Sequence, residues 1–213
     1  MKLVEKYRPQ EWGDVIGQDK ALDQIDRLRA RGLGARAIWL SGPSGTGKTT
    51  IARLIAQEVA TPWHTHELDA TELKADRLSE ILEDIAHYGM GKRNGKAVVV
   101  NEAHGLRADI IRRLLVALED IPRHAIWVFT TTADAQSELF DAKLDASPLL
   151  SRCAEISMAK RGLAEPFARR AKEIAQAEDL DGAPESRYLR LMKDVRNNFR
   201  RALQKIECGE MLD

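Results

Sequence analysis

Cysteine is scarce in this sequence. Cys153 and Cys208 are the two cysteines in 213 residues, which excludes a disulfide framework and is typical of reduced thiols in a cytoplasmic protein. His64 and His66 have the spacing of metal ligands, but no further cluster of cysteine or histidine lies near them in the sequence. We therefore expect no zinc site.

An excess of charge of one sign is also missing. Lys and Arg number 33, Asp and Glu number 33, and the net charge at pH 7 is zero, so any nucleic-acid surface must be local. Residues 1–8 lack the apolar core of a signal peptide, and no segment approaches the roughly 20 apolar residues that cross a bilayer. The composition, 44% hydrophobic and 31% charged, is that of a globular protein. We expect a cytoplasmic location and no membrane contact.

The middle of the chain alternates strand-like with helix-like patterns. Continuous apolar runs such as Val98–Val100 and Ile126–Phe129 are typical of strands covered on both faces. Strands are predicted near 36–41, 64–68, 96–101, 124–131 and 153–157. Helices are predicted near 48–60, 76–87 and 108–119. This alternation predicts an α/β fold with a parallel five-stranded sheet between helices.

The pattern changes after about residue 160, where no strand-like run occurs. Three helices are predicted at 163–177, 186–195 and 198–211, separated by turn-forming residues. We therefore predict an α/β domain at 1–159 and a small all-α lid domain at 160–213. A helical cluster of this size is too small to be robust alone and should dock on the first domain.

A glycine-rich loop follows the first predicted strand and matches the phosphate-binding pattern G-x-x-x-x-G-K-[ST]. Its glycines allow backbone N–H groups to converge on phosphate, and the next helix adds the positive end of its dipole. Lys48 supplies a cation for the outer phosphates, and the Thr49 hydroxyl suits Mg²⁺. The nucleotide-binding residues predicted here are Gly42, Pro43, Ser44, Gly45, Thr46, Gly47, Lys48, Thr49 and Thr50.

Polar residues follow the apolar strand that ends at Val100. Glu102 is placed to polarise an attacking water, or alternatively it only caps the next helix. Asn101 offers an oxygen to Mg²⁺ without negative charge. A hydroxyl of Thr130–Thr132, at the end of the next strand, could contact phosphate or water, although such strand ends also occur without function. Arg152 lies before the last strand and is either a functional or a solvated arginine.

Together these motifs resemble P-loop NTPases of the AAA+ class, most closely the clamp-loader group of replication factor C and the bacterial gamma/tau subunit. The resemblance spans the whole chain. It is carried, besides the phosphate loop, by Glu5–Pro9, Asp14–Gln18, Glu67–Thr71, Asn101–His104, Leu114–Glu119, Ser151–Cys153 and Asn198–Leu203.

The resemblance implies a role for several residues. The N-terminal signature, with Tyr7, Arg8, Pro9, Val15 and Ile16, would wrap the adenine of ATP or ADP. Thr132 falls on the first sensor position and Arg200 on the second, within the lid. Arg152 falls on the arginine finger, which enters the ATP site of a neighbouring subunit, so an oligomer of this chain or of homologous AAA+ subunits is implied. Lys48 and Glu102 complete the catalytic set, with Thr49 and Asn101 at Mg²⁺.

The sequence departs from the family pattern in three places. Asn101 replaces an aspartate that holds Mg²⁺ through its water shell, so weaker metal binding and slower turnover are expected. The sequence ends after the lid, without the third helical domain that forms a collar in clamp loaders. An insertion around 136–143 separates the first sensor from the Ser-Arg-Cys motif.

The functional hypothesis is an ATP-driven oligomeric switch for DNA replication or repair, with ATP between the α/β domain and the lid. A sliding clamp and primed DNA are the implied partners, and Arg107, Arg112 and Arg113 face either DNA or solvent. One alternative is a nucleotide-gated scaffold that binds ATP but hydrolyses it poorly because of Asn101. Another is a different AAA+ remodeller, such as a branch-migration motor or a helicase loader.

Overall fold

The computed structural model describes residues 1–132 and 147–212. The insertion predicted at 136–143 lies outside the described residues. The chain forms two compact units. We call Ala21–Gly42 with Lys48–Ser157 the α/β unit, and Met1–Lys20, Pro43–Gly47 and Met158–Asp213 the helical unit.

The α/β unit contains one five-stranded sheet, in which every pairing is parallel. Its strands are β1 (Arg36–Gly42), β2 (Thr65–Asp69), β3 (Lys96–Asn101), β4 (Ala125–Thr132) and β5 (Ala154–Ser157). The order across the sheet is β2-β3-β4-β1-β5. The predicted parallel sheet is confirmed.

Helices cover both faces of this sheet. The helices in this part of the chain are α2 (Asp19–Arg29), α3 (Lys48–Val59), α4 (Ala75–Ile85), α5 (Ala108–Ala117) and the short α6 (Ser147–Leu150). Helix α3 contacts β1, β3 and β4. Helices α4 and α5 pack on the other face in a core with Trp39, Trp127 and Phe129. This two-sided burial explains why the central strands are apolar along their whole length.

The order of the strands brings three strand ends together. Strand β4 lies between β3 and β1, and all three run in the same direction. Thr132 at the end of β4 pairs in register with Gly42, the last residue of β1. Functional groups at the carboxyl edge of such a sheet therefore lie side by side, where open α/β sheets bind ligands.

The helical unit has a core of its own. It contains α1 (Leu3–Lys6), α7 (Ala164–Ala177), α8 (Glu185–Asp194) and α9 (Phe199–Glu207), so the three predicted C-terminal helices are present. Leu3 is buried in this core, and α1 contacts α9. The boundary predicted between residues 159 and 160 stays a prediction. The N-terminal segment, assigned from sequence to the α/β domain, packs with the C-terminal helices because Leu3 fills their core.

Within the described residues no helix is long and apolar enough to cross a membrane.

Candidate functional site

Lys48 begins helix α3 in the α/β unit, directly after the phosphate-loop glycines. Its side chain is buried, and its Nζ donates a hydrogen bond to the carbonyl oxygen of Gly42 at 3.0 Å. The ammonium therefore lies back along the end of β1. The ammonium is thus held beside the start of the phosphate loop.

Thr49 and Asn101 meet at the carboxyl edge of the sheet. The Thr49 hydroxyl donates to Asn101 Oδ1 at 3.2 Å, and the Thr130 hydroxyl donates to the same oxygen at 3.1 Å. These are uncharged oxygen ligands, the chemistry that Mg²⁺ accepts in proteins. The two residues predicted at the metal are thus adjacent, and their donor atoms fit Mg²⁺ with less negative charge than an aspartate would give.

Glu102 has an unusual backbone conformation. Its φ of 51° and ψ of 49° are left-handed, which is uncommon for a residue other than glycine. Its N–H points to the Thr130 hydroxyl at 3.4 Å, while its exposed carboxylate lies 3.5 Å from Nδ1 of His104. Uncommon backbone conformations of this kind concentrate at functional sites, and Glu102 directly follows the predicted metal ligand Asn101.

Two hydroxyls at the end of β4 have different surroundings. Thr130 is buried and contacts Asn101, whereas Thr132 is half-buried and pairs in register with Gly42. The sensor position predicted at Thr132 is thus next to the start of the phosphate loop. Thr130, another hydroxyl of the predicted threonine run, donates a hydrogen bond to the predicted metal ligand Asn101, as Thr49 does.

Arg152 is held within its own subunit. Its Nη2 donates to Glu119 Oε1, and its Nη1 donates to the carbonyl oxygen of Pro148 at 2.9 Å. Arg152 is therefore ordered by α6 and the end of α5. The neighbouring Cys153 is no nucleophile, because burial raises the pKa of its thiol to about 12.

In the helical unit, the loop Pro43–Gly47 accepts hydrogen bonds from two other segments at its backbone carbonyl oxygens. Gln18 is buried; its Nε2 donates to the carbonyl oxygen of Thr46 at 3.3 Å, and its Oε1 accepts from the N–H of Ala159 at 2.7 Å. The N–H of Phe199, at the start of α9, donates to the carbonyl oxygen of Gly45 at 3.2 Å. Gly45 has a φ of 75°, and a side chain there would collide with Asn198, so glycine is required.

Arg200 is the second residue of α9 and its side chain is exposed. The N-cap Asn198 accepts a hydrogen bond from the N–H of Arg201, which starts the helix at a defined residue. The predicted sensor arginine therefore lies in the first turn of a helix whose preceding residues contact Gly45.

The predicted adenine-binding segment is anchored to helix α7. The Tyr7 hydroxyl and the Lys6 ammonium both donate to Glu178 Oε1, at the end of α7. Arg8 pairs with Glu5, while Pro9, Val15 and Ile16 are half-buried. Tyr7 is thus oriented by its hydroxyl.

Sequence reasoning missed the contacts of four residues: Gln18, Glu67, Glu119 and Thr130. Each belongs to a motif or run described above, but a motif does not reveal which residues its members contact. Glu67 Oε1 accepts a hydrogen bond from Asn101 Nδ2 at 3.0 Å. Register across the sheet is the signal that would have suggested Glu67 and Thr130, since neighbouring parallel strands end side by side.

The fold is a parallel α/β sheet with a phosphate-loop motif at its carboxyl edge, and comparison with known proteins gives the family. The model of the family described as "ATPase family associated with various cellular activities (AAA)" matches residues 38–158. The chain belongs to the AAA family.

Curated relatives resemble the chain over most of its length. DNA polymerase III subunit gamma of Buchnera aphidicola subsp. Acyrthosiphon pisum is 30% identical over 174 residues, covering 71% of this chain and 46% of the relative. Replication factor C small subunit of Haloarcula marismortui is 27% identical over 182 residues, covering 84% and 53%. The resemblance to clamp-loader subunits is confirmed, and the chain spans about half the length of these relatives.

Solved structures share the fold. The RuvB Holliday junction branch migration motor of Thermotoga maritima superposes with a TM-score of 0.71 at 22% identity, covering 94% of this chain and 64% of that one. This likeness shows the AAA fold in a protein of another named activity.

The Glu178 anchor predicts a pH window for the N-terminal segment. Hydrogen bonds from Lys6 and Tyr7 lower the pKa of Glu178, and the same contact raises the pKa of Tyr7 and Lys6. The stabilisation from Glu178 is present above its unfolded pKa of about 4.3 and is lost as the pH falls through the lowered folded value. That from Tyr7 and Lys6 is present below their unfolded pKa values of about 10 and is lost as the pH rises through the raised ones.

We therefore expect the amides of Leu3–Tyr7 to exchange slowly with solvent at neutral pH and faster outside that window, relative to the intrinsic rate. Glu178→Gln should speed their exchange at pH 7, and Glu173→Gln, also on α7, should leave it unchanged. Hydrogen-exchange mass spectrometry measures both. Equal protection in wild type and Glu178→Gln at pH 7 would show that the anchor does not hold the segment.

Proposed function

We propose that the chain binds ATP with Mg²⁺ at the phosphate loop and acts as an ATP-driven switch subunit in an oligomer of AAA+ subunits. One observation carries this proposal. Lys48 and Thr49 follow the loop, Asn101 ends the strand that supplies the Thr49 contact, and Glu102 comes directly after it. The buried cation, the paired oxygens and the adjacent exposed carboxylate are the groups that phosphoryl transfer to water requires.

Each of these residues has a distinct task in the proposed reaction. Lys48 neutralises charge on the outer phosphates, and Thr49 and Asn101 hold Mg²⁺, which when bound offsets charge that develops on the phosphate oxygens. Glu102 orients the attacking water. Arg200 senses the phosphate in the same subunit, and Thr132 contacts phosphate or water.

Arg152 supplies the remaining positive charge to a neighbouring subunit. Its pairing with Glu119 inside its own subunit supports a two-position role, since the guanidinium must leave that carboxylate to reach a neighbour's phosphate. Hydrolysis would then depend on assembly, and loss of ATP would loosen the interface. Such dependence on assembly and on bound ATP is expected of a switch rather than of an enzyme that hydrolyses ATP continuously.

The resemblance to replication factor C and to the gamma subunit supports a role in DNA replication or repair. A sliding clamp and primed DNA are the proposed partners. Arg112 and Arg113 are exposed on helix α5, and Arg107 is exposed directly before it. All three could contact a DNA backbone. The alternative of another remodeller is supported by the fold shared with the branch-migration motor.

A first test concerns ATP itself. Lys48→Ala should weaken binding of a fluorescent ATP analogue at least about tenfold, because the only cation built into the loop motif is lost. Lys193→Ala, an exposed lysine of α8, is the control and should bind like wild type. Fluorescence titration measures both affinities. No saturable binding by wild type at millimolar nucleotide would refute the proposal.

A second test concerns the arginine finger. ATP turnover per wild-type subunit should rise with protein concentration, and Arg152→Ala should abolish that rise, lowering assembled turnover about 10³-fold. Glu119→Gln should lower the concentration at which turnover rises, because the guanidinium is no longer held by a charge. Glu83→Gln, an exposed glutamate of α4, is its control. Turnover independent of concentration in all four proteins contradicts a finger supplied by a neighbour.

A third test separates the switch from the weakly hydrolysing scaffold, which Asn101 supports. We expect Asn101→Asp to raise steady-state hydrolysis at saturating Mg²⁺, because a carboxylate adds negative charge at the metal. A large rise with unchanged ATP affinity would favour the scaffold for the native chain. Unchanged hydrolysis would mean that the amide oxygen suffices. Phosphate release and nucleotide titration on the same samples distinguish these results.

A further inference from the structure

Glu67 contacts the residue that departs from the family pattern. In the parallel pairing of β2 with β3, Asp69 is in register with Asn101, so Glu67, two residues earlier, lies on the same face of the sheet. Its Oε1 accepts the hydrogen bond from Asn101 Nδ2 at 3.0 Å. The contact therefore uses the amide nitrogen of Asn101, while the amide oxygen faces the two threonine hydroxyls.

Arg53 holds the other oxygen of this carboxylate. Its Nε donates to Glu67 Oε2 at 2.7 Å, and it lies one helical turn after Thr49 on α3. A chain of contacts thus starts and ends on one face of α3. It runs from Thr49 through Asn101 and Glu67 to Arg53. Glu67 is held from both sides, with 27% of its side chain exposed.

Glu67 determines whether the oxygen or the NH₂ group of the Asn101 amide faces Thr49. A threonine hydroxyl both donates and accepts. Thr49 and Thr130 could therefore form a hydrogen bond with either the oxygen or the NH₂ group of the Asn101 amide. An ionised carboxylate only accepts, so Glu67 requires the NH₂ group on its side. The amide oxygen of Asn101 must then face Thr49. Without Glu67, the amide can rotate by 180° and present N–H groups, which repel a cation.

We propose that Glu67 is a positioning residue that fixes the Asn101 amide with its oxygen toward the Mg²⁺ site. The proposal rests on the proposed function, because it needs a metal beside Thr49. It adds a residue that acts through Asn101 rather than on the nucleotide. An aspartate at position 101 presents oxygen in either orientation, so the dependence on Glu67 is specific to the asparagine.

The test measures the Mg²⁺ concentration at half-maximal binding of a fluorescent, slowly hydrolysed ATP analogue by the full chain. Glu67→Ala should raise this midpoint about tenfold, the lower end of the effect of losing an orienting partner of a metal ligand. Glu67→Gln keeps a carbonyl acceptor and should give an intermediate midpoint. The control is Glu58→Ala, which removes an Arg–carboxylate contact of 2.7 Å at the other end of α3 and should behave like wild type. Thermal unfolding verifies that each variant is folded.

A further variant tests specificity for the asparagine. In an Asn101→Asp background, Glu67→Ala should change the midpoint less than twofold, whereas a merely structural role would give the same effect in both backgrounds. If both wild type and Glu67→Ala bind nucleotide saturably and their Mg²⁺ midpoints lie within twofold of each other, the proposal for Glu67 is overturned while the proposed function stands. Absence of nucleotide binding by wild type would instead overturn the proposed function together with this inference.

Discussion

The position of β4 between β1 and β3 is the constraint on which the candidate site depends. Because all three strands are parallel, their carboxyl ends coincide, with Asn101 beside Thr130 and Gly42 in register with Thr132. The phosphate loop leaves β1 at this edge, and Lys48 returns to the Gly42 carbonyl. A slip of one residue in the β3–β4 pairing would turn the Asn101 side chain to the other face of the sheet, away from Thr130, and a slip in the β4–β1 pairing would do the same to the strand that leads into the phosphate loop.

Much of this arrangement was predictable because it follows from local patterns. Apolar runs covered on both faces gave the strands, helical spacing gave the helices between them, and the glycine loop fixed where a phosphate could bind. What could not be predicted depends on contacts between distant residues. Three contacts follow from tertiary structure, which no single motif encodes. They are the packing of Leu3 with the C-terminal helices, the hydrogen bond between Thr130 and Asn101, and the pairing of Arg152 with Glu119.

Charge is distributed unusually around Asn101. The Asn101 amide oxygen, which we propose faces Mg²⁺, is neutral, while the carboxylate of Glu67 contacts the Asn101 amide nitrogen on one side and Arg53 on the other. In the proposed site, negative charge would therefore lie close to the metal without being a ligand. Such a site should retain cation binding mainly through the nucleotide's own phosphates, so that metal and nucleotide would bind together rather than separately.

The pair of Arg152 with Glu119 is weak enough to break in the switch that we propose. Glu119 is largely exposed, with 61% of its side chain accessible, and exposed ion pairs are worth about 0–1 kcal/mol. An arginine finger at a phosphate contributes several orders of magnitude in rate, which corresponds to about 4 kcal/mol or more. In the proposed switch, the contact within one subunit can therefore orient Arg152 before assembly and yet break when Arg152 reaches a neighbour's phosphate. A buried pair would be costly to break, whereas a fully solvated arginine would lose more conformational entropy when it reached the neighbouring site.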